Sequence, residues 1–236
     1  MLLSSSRVYS IKALAALPLI VRDHAFTLDE TTVWPAGASS AGLTEEFSTA
    51  GPISLYGATK LASEAIAIEY GDAFELPVAI NRCGVLAGGG QFGTVEQGIF
   101  SYWVRSWASA RPLTLVGFEG SGHQVRDALH PRDLADLVER QIRAGAGAAG
   151  VWNVGGGSAR AMSLAQLSEW CRQRFGAREL AVDRIPRKWD VPWVVMDAAR
   201  PHDRFGWTPT TSMSALLDEI ADHHRLHPDW LDLSQP

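Results

Sequence analysis

The run Tyr56-Gly57-Ala58-Thr59-Lys60 places a phenol and an ammonium four residues apart, at the start of a segment that reads as helix. At that spacing the two side chains share one helix face, a turn apart. A neighbouring ammonium favours phenolate over phenol, so such a tyrosine can serve as general acid and base. Upstream, Ser4-Ser5-Ser6-Arg7-Val8-Tyr9 supplies hydroxyls that could orient a substrate alcohol. The trio suits removal of a carbinol proton while hydride leaves for an acceptor such as a nicotinamide. Tyr-x-x-x-Lys alone is a common pattern, equally compatible with an exposed helix bearing an ordinary lysine. Its setting singles it out: a Ser-rich strand end before it, a long helix after it, then the β-type run Val78-Ala79-Ile80-Asn81-Arg82.

An alternating frame must hold these residues. Leu2-Leu3 reads as the end of a buried strand. A helix is expected from Ser54 to about Phe74, with Ala58, Leu61, Ala62, Ala65, Ile66 and Glu69 recurring at helical spacing. A strand from Pro77 to about Cys83 follows, broken by Gly88-Gly89-Gly90. Next come a helix near 95–110, a β-type run at 112–116 and a strand over 124–130. Pro131 then opens a helix ending near Arg143. A short strand at 151–154, a Ser163-capped helix over 164–175, a strand at 182–185 and a helix over 214–226 complete the pattern. Residues 10–53 show no clear periodicity and read as a long connection of the kind that carries function. Strands alternating with helices predict an α/β fold around a parallel sheet.

The chain has 236 residues, enough for one large or two small domains with a real core. A formal net charge of −5 argues against a nucleic-acid partner, which would leave a basic patch. No apolar run is long enough to span a bilayer, so no membrane role is expected. Lys12 followed by the apolar run Ala13–Val21 imitates a signal peptide. A polar Ser-rich segment precedes it, however, Pro18 interrupts it, and no small-x-small cleavage site follows. Cys83 and Cys171 lack metal spacing and read as packing residues in a reducing cytoplasm.

Several patterns compete for the role of binding site. Gly145-Ala146-Gly147-Ala148-Ala149-Gly150 matches G-x-G-x-x-G literally but follows a helix and precedes a strand, the reverse of the order a dinucleotide fingerprint requires. Gly155-Gly156-Gly157 has the right order but lacks the rest of the motif. His223, His224 and His227 read as a polar helix end whose imidazoles complement the dipole, rather than as metal ligands, and no metal is expected. The nine tryptophans read as core and pocket wall. Arg126, behind the glycine-bearing turn Gly120–Gly122, offers a fork for phosphate oxygens, with a surface pair to Asp127 as the even alternative. Arg187, near Asp190, is a second phosphate candidate.

Taken together, these segments resemble an extended short-chain dehydrogenase/reductase of the NAD-dependent epimerase/dehydratase family, and within it the CDP-paratose (CDP-tyvelose) 2-epimerases. The likeness is carried by Ser4–Tyr9, Ser54–Glu64, Asn81–Gly88, Phe92–Gly98, Gln124–His130, Trp152–Gly157 and Pro228–Leu231. It implies a partial Rossmann-like parallel sheet with a smaller mixed α/β substrate domain. Residues 1–85, with 123–156 returning to them, would form the nucleotide-binding part, and 86–122 with 157–236 the substrate part. Tyr56 would be the catalytic base, Lys60 would bind the nicotinamide ribose and ease deprotonation of the phenol, and Ser5 would orient the substrate hydroxyl. Arg82 and Cys83 would approach the nicotinamide of NAD, while Arg126, Arg187 and Gln97 would meet a nucleotide-diphosphate sugar. Family dehydratases carry an acidic pair where this chain has Ser6 and Arg7, which disfavours dehydration. Another dehydrogenase or reductase of the family, or a non-catalytic truncated paralogue, remains the alternative.

The departure from the family pattern lies at the start. The strand–Gly-x-x-Gly-x-x-Gly–helix unit and two further βα units that precede the serines in relatives have no counterpart here. The expectation is therefore an exposed sheet edge, weak NAD binding by this polypeptide, and a missing N-terminal half supplied from upstream or by a partner chain. The resemblance also implies a possible homo-oligomer paired through the Tyr56 helix.

Overall fold

The computed structural model describes residues 1–94, 97–185 and 190–233. Three parallel strands, Leu2–Ser5, Ala79–Cys83 and Gly150–Val154, form one sheet with the second of them in the middle. Register sets Ser5 opposite Cys83, so two strand termini finish level at the carboxyl rim. The middle strand is buried along its whole length. A second sheet centres on Val125–Leu129, flanked by Ala161–Ser163 and Trp193–Val194, and Val85–Leu86 pairs with its far end. The α/β class and the parallel order follow the alternation read in the sequence. Leu2–Ser5 stands at the edge of its sheet, with Leu3 46% exposed, which is the open edge expected.

Several helix boundaries follow from local chemistry. Ser163 caps Leu164–Phe175 in a reciprocal capping box with Gln166. Pro131 opens Pro131–Ala144, and the His130 ring accepts from the Arg132 N–H. Ile99–Ala108 starts later than the sequence suggests, and positions 95 and 96 lie outside the described residues.

Residues 10–53 are more ordered than their lack of periodicity implies. They contain the helix Ile11–Ala15 and a hairpin pairing Leu19–Arg22 with Ala25–Leu28. The hairpin turn, Asp23-His24, holds φ values of 49° and 61°, the mirror-image turn for which sequence reading looks for Asn-Gly. Leu14, Leu17, Leu28, Leu43 and Phe47 from this stretch share one hydrophobic cluster with Val191, Val195 and Met196.

The Tyr56 helix, Ser54–Ala73, also differs from expectation in its inner face. Gly57 and Glu64 are its buried residues, whereas Ala58, Ala62, Ala65, Ile66 and Glu69 are exposed. Close approach and an ion pair select that face, not apolar count. A Cβ at Gly57 would lie 2.2 Å from the Arg7 carbonyl oxygen, so glycine lets the helix settle on the Ser6–Val8 turn. One turn pair further along, Glu64 meets Arg82 at 2.8 Å and accepts from Ser4 Oγ at 2.5 Å. Beneath it, Asn81 and Gln141 exchange two amide hydrogen bonds, each of 2.8 Å, in the dry interior.

Candidate active site

A cleft of about 910 Å³ opens at the carboxyl rim of the first sheet, where open α/β sheets take their ligands. Ser5, Tyr56, Cys83, Gln97 and Arg126 all line it, so five residues singled out by sequence converge on one space. Lys60 stands behind them. Its Nζ lies 5.9 Å from the centre of the Tyr56 ring and donates to the Leu3 carbonyl at 3.3 Å. The ammonium is therefore tethered to the strand that carries Ser5, on the same helix face as the phenol.

The Tyr56 side chain is open to solvent, and among the described residues its hydroxyl has no hydrogen-bond partner. Ser5 Oγ accepts from the Arg7 N–H at 3.2 Å, which leaves its own proton to donate. A second phenol reaches the cleft wall: Tyr9 is fully buried, donates to Asn153 at 2.6 Å, and is pushed up to about 12, chiefly by burial. That phenol is held in its neutral form by burial, whereas the Tyr56 phenol stands open in the cleft. Burial also pushes the Cys83 thiol up to about 12, which makes it a wall residue and no nucleophile.

Arg82 is not brought to the cleft. Its guanidinium binds Glu64 through two nitrogens, donates to the Glu45 carbonyl, and lies 5.4 Å from the Tyr9 ring centre. It supports the sheet beneath the site. Arg187 lies outside the described residues. Arg126 matches neither sequence reading fully: it is half-buried, and donates to the carbonyls of Val125 at 2.7 Å and Val191 at 2.8 Å. Asp127 points the other way along the strand, where its Oδ2 accepts from the N–H groups of Gly157 and Met196.

The competing patterns have other work. Gly145–Ala148 is a 3-10 turn at the amino end of Gly150–Val154, across the sheet from the cleft. Gly155 and Gly156 permit close packing, since a Cβ at 155 would lie 2.3 Å from Asp127 and one at 156 would lie 2.1 Å from the Ala128 carbonyl. His223 and His224 do lie in the last turn of Met213–Leu226, but burial, followed by the Arg105 cation, pushes both imidazoles down in pKa. Neutral rings cannot complement the dipole as cations; His223 instead meets Arg105 at 3.0 Å. No described tryptophan lines the cleft, and Trp103, Trp107, Trp152, Trp193 and Trp207 are core residues. A smaller cavity of about 510 Å³, between Gly88–Gln91 and Glu219, contains none of the residues with acid/base spacing.

Sequence reading missed the support under the cleft. Glu64, Tyr9, Asn153 and Glu45 join in one buried polar network, with Glu45 accepting from the Asn153 N–H at 2.7 Å. The seven-residue spacing of Gly57 and Glu64 was the available signal, because it puts both on one helix face.

Fold and cleft define an open-sheet α/β chain that presents a phenol, an ammonium and a serine hydroxyl at its carboxyl rim. Comparison with known proteins agrees: the model of the NAD dependent epimerase/dehydratase family matches residues 31–155, and the chain belongs to that family. It is 28% identical over 170 residues to dTDP-L-rhamnose 4-epimerase of Burkholderia thailandensis, covering 72% of this chain and 46% of that protein. It is 27% identical over 182 residues to CDP-paratose 2-epimerase of Salmonella typhi, covering 71% and 50%. In fold it is similar to UDP-glucuronic acid 4-epimerase from Bacillus cereus, solved with UDP-glucuronic acid and NAD, with a TM-score of 0.69, 20% identity, and coverage of 95% and 60%. The chain thus spans about half the length of the curated relatives it matches.

Proposed function

We propose that this chain carries the substrate-facing part of an NAD-dependent nucleotide-sugar epimerase, of the kind represented by CDP-paratose 2-epimerase. The observation that carries the reading is the joint placement of Tyr56 and Ser5 in one cleft, with the Lys60 ammonium 5.9 Å behind the phenol. Ser5 donates its hydroxyl proton to the sugar oxygen and fixes the reacting carbinol. Tyr56 takes the carbinol proton and later returns it, with the Lys60 ammonium held beside its ring. Gln97, Arg126 and Arg187 hold the nucleotide diphosphate. NAD bound at the sheet rim would supply a reversible hydride acceptor for that carbon, so the cycle would end without net redox change.

The residues fit the nicotinamide end of that cofactor: an open phenol, a tethered ammonium and a strand-terminal Cys83 lie at the sheet rim. For its pyrophosphate, Gly155-Gly156-Gly157 leaves a strand but opens only the three-residue 3-10 turn Ser158–Arg160, and Gly155 and Gly156 are packed against Asp127 and the Ala128 carbonyl rather than open to a ligand. We therefore assign 1–85 with 123–156 to an incomplete nucleotide-binding part, and 86–122 with 157–236 to the substrate part. The similarity to a rhamnose 4-epimerase favours a second reading in which the inverted carbon is C4.

The test incubates the protein with NAD⁺ and CDP-paratose, alone and co-expressed with the βαβαβ dinucleotide-binding segment of a family member, and follows the sugar by NMR. Inversion at C2 in the complemented arm is expected. Tyr56→Phe should lower turnover by about 10²–10⁴-fold while nucleotide-sugar binding persists. Wild-type turnover in Tyr56→Phe would overturn the assignment.

A further inference from the structure

We propose that Arg7 reads negative charge on the substrate, as the second guanidinium of a pair with Arg126; this rests on the nucleotide-sugar reading above. Arg7 sits in the Ser6–Val8 turn, two residues after Ser5, the serine assigned above to the substrate hydroxyl, and it lines the same cleft. Its backbone is pressed against Gly57, the neighbour of Tyr56, so the guanidinium springs from beside the reacting end. Arg126 enters from the second sheet, its fork steadied by two backbone carbonyls.

The two cations are close enough to repel. Burial first, and Arg7 second, push Arg126 down to about 10. Among the described residues the Arg7 guanidinium makes no hydrogen bond and no ion pair, and it is exposed to the cleft. Two guanidiniums converge on an open cleft, and with two of the Arg126 N–H groups given to backbone carbonyls they leave up to eight N–H donors in planar forks, the arrangement that suits the oxygens of a shared anion. The ligand chemistry is an anionic oxygen cluster on a nucleotide sugar. Its source is either the diphosphate or a carboxylate on the sugar ring, and binding measurements separate the two.

Isothermal titration of the full chain, its Arg7→Gln variant and its Arg7→Lys variant would use CDP-glucose, UDP-glucose and UDP-glucuronate, with cytidine and uridine as uncharged controls. Arg7→Gln is expected to weaken the nucleotide sugars about tenfold or more, leave the nucleosides unchanged, and be partly restored in Arg7→Lys. Loss shared by neutral and acidic sugars assigns the anion to the diphosphate; loss confined to UDP-glucuronate assigns it to the sugar carboxylate. Equal affinities for all ligands in wild type and Arg7→Gln would overturn the role of Arg7 alone. Failure of wild type to bind any nucleotide sugar would remove the nucleotide-sugar reading, and this inference with it.

Discussion

Tyr56 and Tyr9 both reach the cleft, and their surroundings divide them: one phenol is open, the other is sealed under Asn153. Asp127 shows the same dependence on environment. It is fully buried, one of its oxygens, Oδ1, has no partner among the described residues, and burial pushes it up to about 6 from an ordinary 3.8. The folded state therefore holds this proton more tightly than the unfolded chain does. Its contribution to stability is complete below about pH 4 and disappears as pH rises through 6, a change on the order of 3 kcal/mol. Asp127→Asn should flatten that segment of the stability profile, as read by urea midpoints at pH 4, 5, 6 and 7. An unchanged slope would show that the carboxyl ionises normally.

At the scale of elements, the Tyr56 helix is fixed by a buried ion pair, not by aliphatic packing. Glu64→Ala would leave the Arg82 cation uncompensated in the interior and should cost about 3–5 kcal/mol. Replacing both, as Glu64→Leu with Arg82→Met, should cost less than the single change. Denaturant midpoints measure both, and a single-variant loss under about 1 kcal/mol would contradict the account. The sequence made most helix and strand positions legible because caps, Pro131 and β-branched runs are local signals. The inner face of this helix was not legible, since its choice depends on Arg82, a residue on another strand. The Asp23-His24 turn was missed for a related reason: neither residue announces positive φ as glycine would. At the cleft, the closeness of Tyr56 and Lys60 was legible from their spacing and Ser5 was singled out by the family resemblance, whereas the diversion of Arg82 to Glu64 required the fold.

Over the whole molecule, the first strand stands at a sheet edge and the Tyr56 helix exposes Leu55, Ile66, Ile68 and Tyr70. No described helix is long and apolar enough to cross a membrane. On the proposed reading, and with Gly155–Gly157 packed into the interior, this chain by itself should bind NAD⁺ weakly, with little heat in titration at micromolar concentrations. Tight binding would show that the cofactor is held in another way. The reciprocal Asn81–Gln141 contact gives this sheet an address. A one-residue slip of the middle strand would set Ile80 or Arg82 against Gln141 and leave amide groups dry and unmatched, at about 1–3 kcal/mol each. Misthreaded alignments are thereby discouraged beyond what an all-aliphatic layer could achieve, and Ser5 and Cys83 arrive side by side.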